Sequence, residues 1–257
     1  MRIVRYRQGT GPARQGVLDG DVVRDFIGED LMHPEAGSTV AGLDEVDLLA
    51  PARPAHIICV ARNYRRHAAE MGMTIGETPQ LFLKPQTSLV GPGEPIVIPE
   101  MSERTDYEAE LAVVFGRSAH QVPAEDYRSA VAGFTCGNDV TARDLKAVDD
   151  YWLRAKGFPT FCPVGPWIET DLDPGDVKVR CRVDGELRQD DTTADMTFDV
   201  PWLVEFITSF MRVEPGDVLL TGTPSGIGQL HPGQEVAVDI EGIGVLANPV
   251  VAAGGGR

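Results

Sequence analysis

The first 50 residues alternate between apolar and polar side chains in short runs. The segments RIVRY (2–6) and GVLDGDVVRDF (16–26) show this period of two, and the Asp-Gly pair in the second is typical of a tight hairpin turn. The Pro-rich segment LLAPARPAH (48–56) follows and leads into an apolar run. These patterns predict a small β-rich lobe over residues 1–50 and a main domain over residues 51–257.

The main domain mixes short strand patterns with a few helical ones. We expect a long strand over 108–116, a hairpin that turns at Asp184-Gly185, and helices over 64–72, 123–133 and 199–211. Apolar runs predict further strands at 56–60, 216–222, 234–240 and 244–251. Strands and helices do not alternate regularly, so the pattern favours a β-rich α+β fold over a doubly wound parallel sheet.

The charge balance limits the partners of the chain. Lys and Arg total 23 and Asp and Glu total 39 among 257 residues, which gives a net charge of −16. Such a surface repels nucleic-acid phosphates and anionic lipid, so we expect neither nucleic acid nor a membrane as a partner. No apolar run approaches the roughly 20 residues of a membrane span. The four cysteines are far apart, which predicts reduced, buried thiols in a cytoplasmic protein.

Two glutamates stand two positions apart in the predicted long strand. Because side chains alternate along a strand, Glu108 and Glu110 share one face, about 7 Å apart, with the apolar Ala112 and Val114. A strand that is apolar on both faces is buried, and two buried carboxylates require a cation or basic residues nearby. An exposed edge strand with two solvated glutamates is the alternative, and the spacing alone does not decide between them.

A third carboxylate favours the buried site. Asp139 lies in FTCGNDVTARD (134–144), where an apolar run turns polar before a helical pattern. Three carboxylates without a histidine or thiolate form a ligand set that suits Mg²⁺ or Mn²⁺, whereas Ca²⁺ is less suited to so few carboxylates. Sequence spacing by itself does not bring Asp139 to the two glutamates.

Six motifs follow one another in the main domain: NYRRHAAEMG, PQLFLKP, YEAELAVVFG, GNDVTARD, AKGFPTFCPVGPW and LLTGTPSGIG. In this order they resemble the fumarylacetoacetate hydrolase family, and the resemblance covers roughly residues 55–250. It implies a mixed β-roll or β-sandwich catalytic domain and a homodimer. It also implies one Mg²⁺ or Mn²⁺ per subunit, held by Glu108, Glu110 and Asp139.

The resemblance implies roles for further side chains. His67 and Glu70, three positions apart on a short helix, resemble a catalytic pair on a lid (about residues 64–78) that activates water or moves a proton; a solvated polar helix face is the alternative. Lys156 resembles the catalytic lysine beside the metal that stabilises negative charge. The residues expected to support the carboxylates or to bind the substrate are Arg62, Lys84, Arg143, Lys146 and Thr223.

Two positions depart from the pattern of the family. Lys146 stands where glutamine is common, and the added cation is expected either to select a more acidic substrate or to point away from the site. Pro159 stands where aspartate is common, and proline removes an N–H group and fixes the local backbone.

The resemblance implies an enzyme that acts on a 2-oxo or β-diketo acid through a metal-bound enolate. Hydrolysis of a carbon–carbon bond, as in acylpyruvases and fumarylpyruvate hydrolases, is expected first. The alternatives are the isomerase or decarboxylase of the homoprotocatechuate type and oxaloacetate decarboxylase, because all of them share one enolate intermediate. A non-catalytic metal-binding module is the remote alternative. Aromatic catabolism is the pathway that the resemblance implies.

Overall fold

The computed structural model describes residues 1–28 and 30–254, and strands predominate in them. The strands are β1 Arg2–Arg7, β2 Arg14–Asp19, β3 Val22–Ile27, β4 Glu35–Gly42, β5 Asp47–Leu49, β6 Ile57–Ala61, β7 Gln80–Lys84, β8 Leu89–Val90, β9 Ile96–Ile98, β10 Thr105–Tyr107, β11 Ala109–Phe115, β12 Val131–Asn138, β13 Thr141–Ala142, β14 Cys162–Glu169, β15 Lys178–Val183, β16 Glu186–Thr192, β17 Val218–Leu220, β18 Gly228–Gln229, β19 Glu235–Ile240 and β20 Gly244–Ala252. The α-helices are α1 Arg65–Glu70, α2 Arg143–Val148, α3 Leu153–Lys156 and α4 Val200–Phe210. Residues 255–257, the end of the predicted main domain, lie outside the described residues.

The described strands form three sheets. The largest has 12 strands in the order β4-β3-β2-β1-β14-β12-β11-β17-β6-β7, with β5 and β8 attached to β1 and β14. A five-stranded sheet has the order β16-β15-β19-β20-β9, and a three-stranded sheet has the order β13-β10-β18. Apolar side chains of the two larger sheets, such as Leu111 and Val238, share one core cluster. The prediction of a β-rich α+β fold with packed sheets is confirmed.

The N-terminal strands continue the largest sheet. β1 pairs antiparallel with β14, with Arg2 opposite Glu169, and β2, β3 and β4 add outward from β1. The hairpin predicted at the first Asp-Gly pair forms between β2 and β3, where Gly20 has φ +60°. The division of the chain at residue 51 stays a prediction.

β11, the strand that carries Glu110, is buried on both faces, as predicted. Leu111 and Val113 belong to the core cluster between the two larger sheets, whereas Ala112 and Val114 belong to a second cluster on the opposite face. The alternative of an exposed edge strand is therefore wrong. β11 lies inside the largest sheet between β12 and β17.

The predicted continuous strand over 108–116 is wrong at its first residue. β10 ends at Tyr107 and β11 begins at Ala109, because β10 pairs with β13 and β18 in the small sheet while β11 pairs with β12 and β17. Glu108 lies where the chain passes between the two sheets. Its N–H donates to the side-chain oxygen of Asn138 at 3.0 Å.

The helix predicted over 123–133 is also wrong. Only a short 3-10 turn, Ala124–Ser129, forms there, and β12 begins at Val131. β12 is buried along its whole length and lies between β11 and β14. Pairing with strands on both sides and complete burial outweigh the helical pattern, because tertiary context overrides local propensity.

Other local predictions are confirmed. β15 and β16 form the expected hairpin, with Asp184 at φ +51° and Gly185 at φ +79°. α4 follows Asp199, whose carboxylate accepts the N–H of Trp202 at 2.9 Å, and Pro201 lies in its first turn. The four cysteines are free and buried. Within residues 1–28 and 30–254, no helix has the length and apolar character that crossing a membrane requires.

Candidate active site and metal centre

Three acidic side chains meet where the chain passes from β10 to β11. Glu108, Glu110 and Asp139 each offer a carboxylate oxygen within 4.8 Å of the others, and each residue is buried. The pairing of β11 with β12 places Ala109 opposite Asn138, so Asp139 follows beside Glu108 and donates its N–H to the Glu108 carbonyl oxygen at 2.9 Å. Tertiary pairing thus supplies the proximity that sequence spacing left open.

Two buried lysines pair with this acidic triad. Lys84, at the end of β7, donates to Oδ1 of Asp139 at 2.6 Å and to the carbonyl oxygen of Val140 at 3.0 Å. Lys156, at the end of α3, donates to Oε2 of Glu108 at 2.8 Å and contacts Oδ2 of Asp139. Their charges offset part of the repulsion among the carboxylates.

Arg143, at the start of α2, adds a third cation. Its Nη2 contacts Oε1 of Glu108, and its Nε donates to Oδ2 of Asp106 at 2.9 Å. Asp106 is fully buried and also accepts a hydrogen bond from Nε of Arg104 at 2.9 Å. Sequence reasoning missed Asp106, although Asp106, Glu108 and Glu110 occupy every second position of the segment TDYEAE.

The members of the triad differ in their electrostatic surroundings. Burial opposes ionisation of Glu108, but Lys156 and Arg143 outweigh it and hold the pKa of Glu108 well below its ordinary value. Burial and the charges of Asp139 and Glu108 raise the pKa of Glu110 well above its ordinary value. A divalent cation among the three carboxylates relieves this repulsion, and a ligand set of oxygens alone suits Mg²⁺ or Mn²⁺. These residues therefore fit the expected ion.

His67 and Glu70 form a pair on α1. Nδ1 of His67 lies 3.3 Å from Oε2 of Glu70, as positions i and i+3 of a helix allow. The side chain of His67 is only 5 % exposed, so it is not part of a solvated helix face, whereas that of Glu70 is 36 % exposed. Burial lowers the pKa of His67, and the charge of Glu108 partly opposes this effect. A neutral imidazole in this position is able to accept a proton.

Two residues expected to bind the substrate have other partners. The hydroxyl of Thr223 donates to the carbonyl oxygen of Ala109 and accepts from Nε2 of Gln189, both at 2.8 Å. Arg62 has φ +60°, and its Nη1 lies 3.2 Å from the sulfur of Met73 just beyond α1. Thr223 therefore fixes its loop to β11, and Arg62 lies at the margin of α1.

Gln189 is a buried residue that sequence reasoning missed. From β16, its Oε1 accepts the N–H of Ala109 at 3.0 Å, and its Nε2 donates to the carbonyl oxygen of Pro224 at 2.8 Å. It thus joins β11 to the loop after β17. The surrounding segment ELRQDD is polar except for Leu187, so no apolar pattern in it marks Gln189 as buried.

Lys146 lies on α2, three positions after Arg143 and therefore on a similar side of that helix. Its ammonium lies over the ring of Trp152, 4.5 Å from the ring centroid. Burial and the charge of Lys156 lower the pKa of Lys146 to about 8. The charges of Glu108 and Asp139 partly oppose this effect, and the role of Lys146 toward the substrate stays a prediction. Pro159 is exposed in the segment before β14.

Family comparison covers most of the chain. Residues 56–251 match the family described as fumarylacetoacetate (FAA) hydrolase, C-terminal, and residues 1–51 match the family described as Rv2993c-like, N-terminal. The first match contains the acidic triad, the His67–Glu70 pair and all five residues expected at the substrate.

Individual relatives carry the names of different reactions. The chain is 41% identical to the mitochondrial oxaloacetate tautomerase Fahd2a of Rattus norvegicus, over 80% of this chain and 70% of the relative. The structure of 5-carboxymethyl-2-hydroxymuconate delta-isomerase from Mycobacterium smegmatis is similar with a TM-score of 0.91 and 40% identity, over 98% of this chain and 100% of that one. A fumarylacetoacetate hydrolase from Exiguobacterium antarcticum has a TM-score of 0.88 and 36% identity, over 98% and 99% of the two chains.

Proposed function

The chain belongs to the fumarylacetoacetate hydrolase family, and on that premise we propose that it is a divalent-metal-dependent enzyme. Its substrate is a 2-oxo or β-diketo acid, and its reaction is hydrolysis of a carbon–carbon bond through an enolate. The observation that carries this proposal is the buried triad of Glu108, Glu110 and Asp139, with Lys156 paired to two of its carboxylates.

The triad would hold one Mg²⁺ or Mn²⁺ per chain. When bound, the ion supplies Lewis-acid stabilisation of negative charge on the carboxylate and 2-oxo oxygens of the substrate. The ammonium of Lys156 stabilises the same negative charge on the substrate oxygens. Against the effect of burial, Asp139 and Glu108 raise the pKa of Lys156, so its ammonium stays protonated and stabilises the enolate that bond cleavage leaves.

His67 is the general base of the hydrolysis. Because burial lowers its pKa, the imidazole is neutral at neutral pH and accepts a proton from the water that attacks the distal carbonyl carbon. Glu70, 3.3 Å away, orients the ring and stabilises the imidazolium that forms. The carbon–carbon bond of the hydrated carbonyl then breaks, which releases one carboxylic acid and leaves the enolate. His67 returns the proton that it took from water to the enolate carbon, which gives the 2-oxo acid.

The basic residues around the triad divide into two groups. Lys84 and Arg143 hold the carboxylates of the triad in place. Lys146 is suited to a second carboxylate of the substrate, and Arg62 is assigned to the distal end of the substrate. Thr223 fixes the loop beside the triad through the two hydrogen bonds of its hydroxyl.

Isomerisation or tautomerisation is the second candidate reaction. It uses the same enolate but needs only a proton transfer, for which the His67–Glu70 pair is equally suited. The names of the rat tautomerase and the mycobacterial isomerase favour it. Decarboxylation also leaves the same enolate, so the arrangement of side chains does not separate these reactions.

The test is release of pyruvate from acetylpyruvate, fumarylpyruvate and oxaloacetate with Mg²⁺ or Mn²⁺ and again with EDTA, together with the rate of oxaloacetate enol–keto exchange. Wild type and His67→Ala are compared. Metal-dependent pyruvate from a diketo acid, lost in the variant, supports hydrolysis. Release from oxaloacetate alone indicates decarboxylation, and enol–keto exchange without pyruvate indicates tautomerisation.

The proposal also includes a homodimer, which analytical ultracentrifugation checks. Thermal stabilisation by Mg²⁺ or Mn²⁺ that is lost in Glu108→Ala is expected for the metal centre. A protein that binds the metal but transforms none of these acids would be an isomerase or an enzyme for a specialised substrate, whereas absence of any thermal shift with Mg²⁺ or Mn²⁺ favours a non-catalytic module. The cytoplasmic location stays a prediction.

A further inference from the structure

The carboxylate of Glu70 lies between His67 and a backbone N–H group of a distant loop. Its Oε2 is 3.3 Å from Nδ1 of His67, and both of its oxygens are 3.2 Å from the nitrogen of Gly226. The loop between β17 and β18 therefore touches the pair that α1 carries. A half-exposed glutamate without such a donor has several rotamers available to it.

The loop at Gly226 has little freedom. Gly226 has φ +97°, and a Cβ atom there would lie 2.2 Å from the carbonyl oxygen of Arg188, so only glycine fits both the conformation and the space. Its carbonyl oxygen accepts the hydroxyl of the buried Tyr107 at 3.0 Å. The amide of Gln189 holds the neighbouring carbonyl oxygen of Pro224 at 2.8 Å.

Tyr107 directly precedes Glu108, the first member of the acidic triad. One residue therefore fixes the loop that receives Glu70, and the next residue belongs to the triad. Tyr107 and Glu70 contact the two sides of Gly226, because Tyr107 donates to its carbonyl oxygen and Glu70 accepts from its N–H group. The chain of contacts runs from Tyr107 through the loop and Glu70 to His67.

We propose that Tyr107 and Gly226 are positioning residues for the His67–Glu70 pair, and that they fix its orientation relative to the acidic triad. This inference rests on the proposed function of the pair as base. Tyr107 touches neither substrate nor His67 in this role; it acts by fixing the position of Gly226, whose N–H group holds Glu70. It contributes to kcat by keeping the imidazole aligned rather than by binding substrate.

The first test is a double-mutant cycle between Tyr107→Phe and Glu70→Ala. Tyr107→Phe alone is expected to lower kcat about tenfold with less than about a threefold change in KM, because one orienting hydrogen bond is lost. In the Glu70→Ala background the same substitution is expected to change kcat less than about twofold, because the group through which it acts is absent. An equal loss in both backgrounds would mean a general structural role and overturn the inference.

The matched control is Tyr6→Phe. Tyr6 lies in β1, is 1 % exposed, and its hydroxyl has no hydrogen-bond partner among the described residues. The same loss of a buried hydroxyl is expected to leave kcat and KM unchanged. A comparable loss of kcat in this control would remove the case for Tyr107.

The second test does not depend on turnover. NMR titration of the His67 imidazole in the metal-free protein is expected to give a lower pKa in Tyr107→Phe and in Glu70→Ala, because contact with the Glu70 carboxylate raises it. Tyr6→Phe is expected to match the wild type. An unchanged or higher pKa in Tyr107→Phe contradicts the inference, whereas failure of the wild type to transform any of the acids contradicts only the proposed reaction.

Discussion

Nζ of Lys156 lies 2.8 Å from Oε2 of Glu108, and both side chains are almost completely buried. The same ammonium contacts Asp139, so one cation is shared by two members of the acidic triad. Glu110 receives no such ion pair in the described part of the chain. Lys156 therefore holds Glu108 and Asp139 together before any metal ion binds. The negative charge of Glu110 is not offset by an ion pair in the same way among the described residues.

Removal of the Lys156 cation is expected to destabilise the metal-free protein strongly. Lys156→Met leaves Glu108 and Asp139 less compensated in the interior, and loss of one partner of a buried ion pair costs about 3–5 kcal/mol. Urea unfolding in EDTA measures the free energy of unfolding. Lys178→Met, at an exposed position of β15, is the control, with an expected change within about 0.5 kcal/mol. A loss below about 1 kcal/mol for Lys156→Met would contradict this account.

Glu110→Gln is expected to have opposite effects without and with metal. Because the folded protein keeps a proton on Glu110 above pH 4.5, where the unfolded chain has lost it, the free energy of unfolding falls as pH rises through that range. Glutamine removes this pH dependence and stabilises the metal-free protein by about 1 kcal/mol at neutral pH. The wild type gains about 2.7 kcal/mol at a Mg²⁺ concentration of 100 Kd, and the variant loses this gain.

The control for this experiment is Glu125→Gln, at an exposed carboxylate. Thermal and urea unfolding between pH 4.5 and neutral pH, in EDTA and in Mg²⁺, provide the comparison. Full stabilisation of Glu110→Gln by Mg²⁺ would show that Glu110 is not a ligand.

The decrease of kcat/KM at acidic pH is expected to follow protonation of His67. Burial lowers its pKa below 6.5, so kcat/KM falls only when the pH drops below that value and the base becomes protonated. Glu70→Gln removes a charge that raises this pKa, so the decrease moves to still lower pH and the plateau falls. His67→Ala is expected to lower kcat by about 10²–10⁴. If the acidic decrease of kcat/KM occurs at the same pH in Glu70→Gln as in the wild type, a group other than His67 titrates in that range.

Lys146→Gln is expected to remove a preference for acids with a second carboxylate. The metal-loaded protein is titrated calorimetrically with 2-oxoglutarate and with 2-oxopentanoate, which differ only in a terminal carboxylate. Because Lys146 forms a charge-assisted hydrogen bond with the terminal carboxylate, the wild type is expected to bind 2-oxoglutarate about 10-fold to 100-fold more tightly than 2-oxopentanoate. The preference weakens as pH rises through about 8, because Lys146 then loses its proton.

Lys178→Gln, the identical substitution at an exposed strand position, serves as the control for the binding experiment and is expected to keep the preference. Retention of the preference in Lys146→Gln would assign the second carboxylate to another cation. Absence of any preference in the wild type would remove this role from Lys146.

Local patterns predicted those features whose causes are local. The period of two predicted a strand over 109–115 that is apolar on both faces, and the turn at Asp184-Gly185 follows from residues that tolerate positive φ. The start of α4 at Asp199 likewise depends on a side chain and a backbone N–H three residues apart. Each of these features is fixed by neighbours in the chain.

Long-range pairing decided the rest. The segment 123–133 has a helical pattern, yet Val131 onwards forms β12 because two strands from other parts of the chain pair with it. Gln189 stands in a polar segment but is buried because β11 and the loop after β17 surround it with backbone partners.

The sequence by itself determined the fold class, the paired glutamates and, through its resemblance to a family, the set of candidate site residues. Only the tertiary structure brought Lys84 to Asp139 across 55 positions and Lys156 to Glu108 across 48, and only it placed Glu70 against Gly226 across 156. The physical reason is that side-chain alternation and turn propensity act between neighbours in the chain. The charge balance of a buried site depends on which distant groups the packing of sheets brings within a few ångströms.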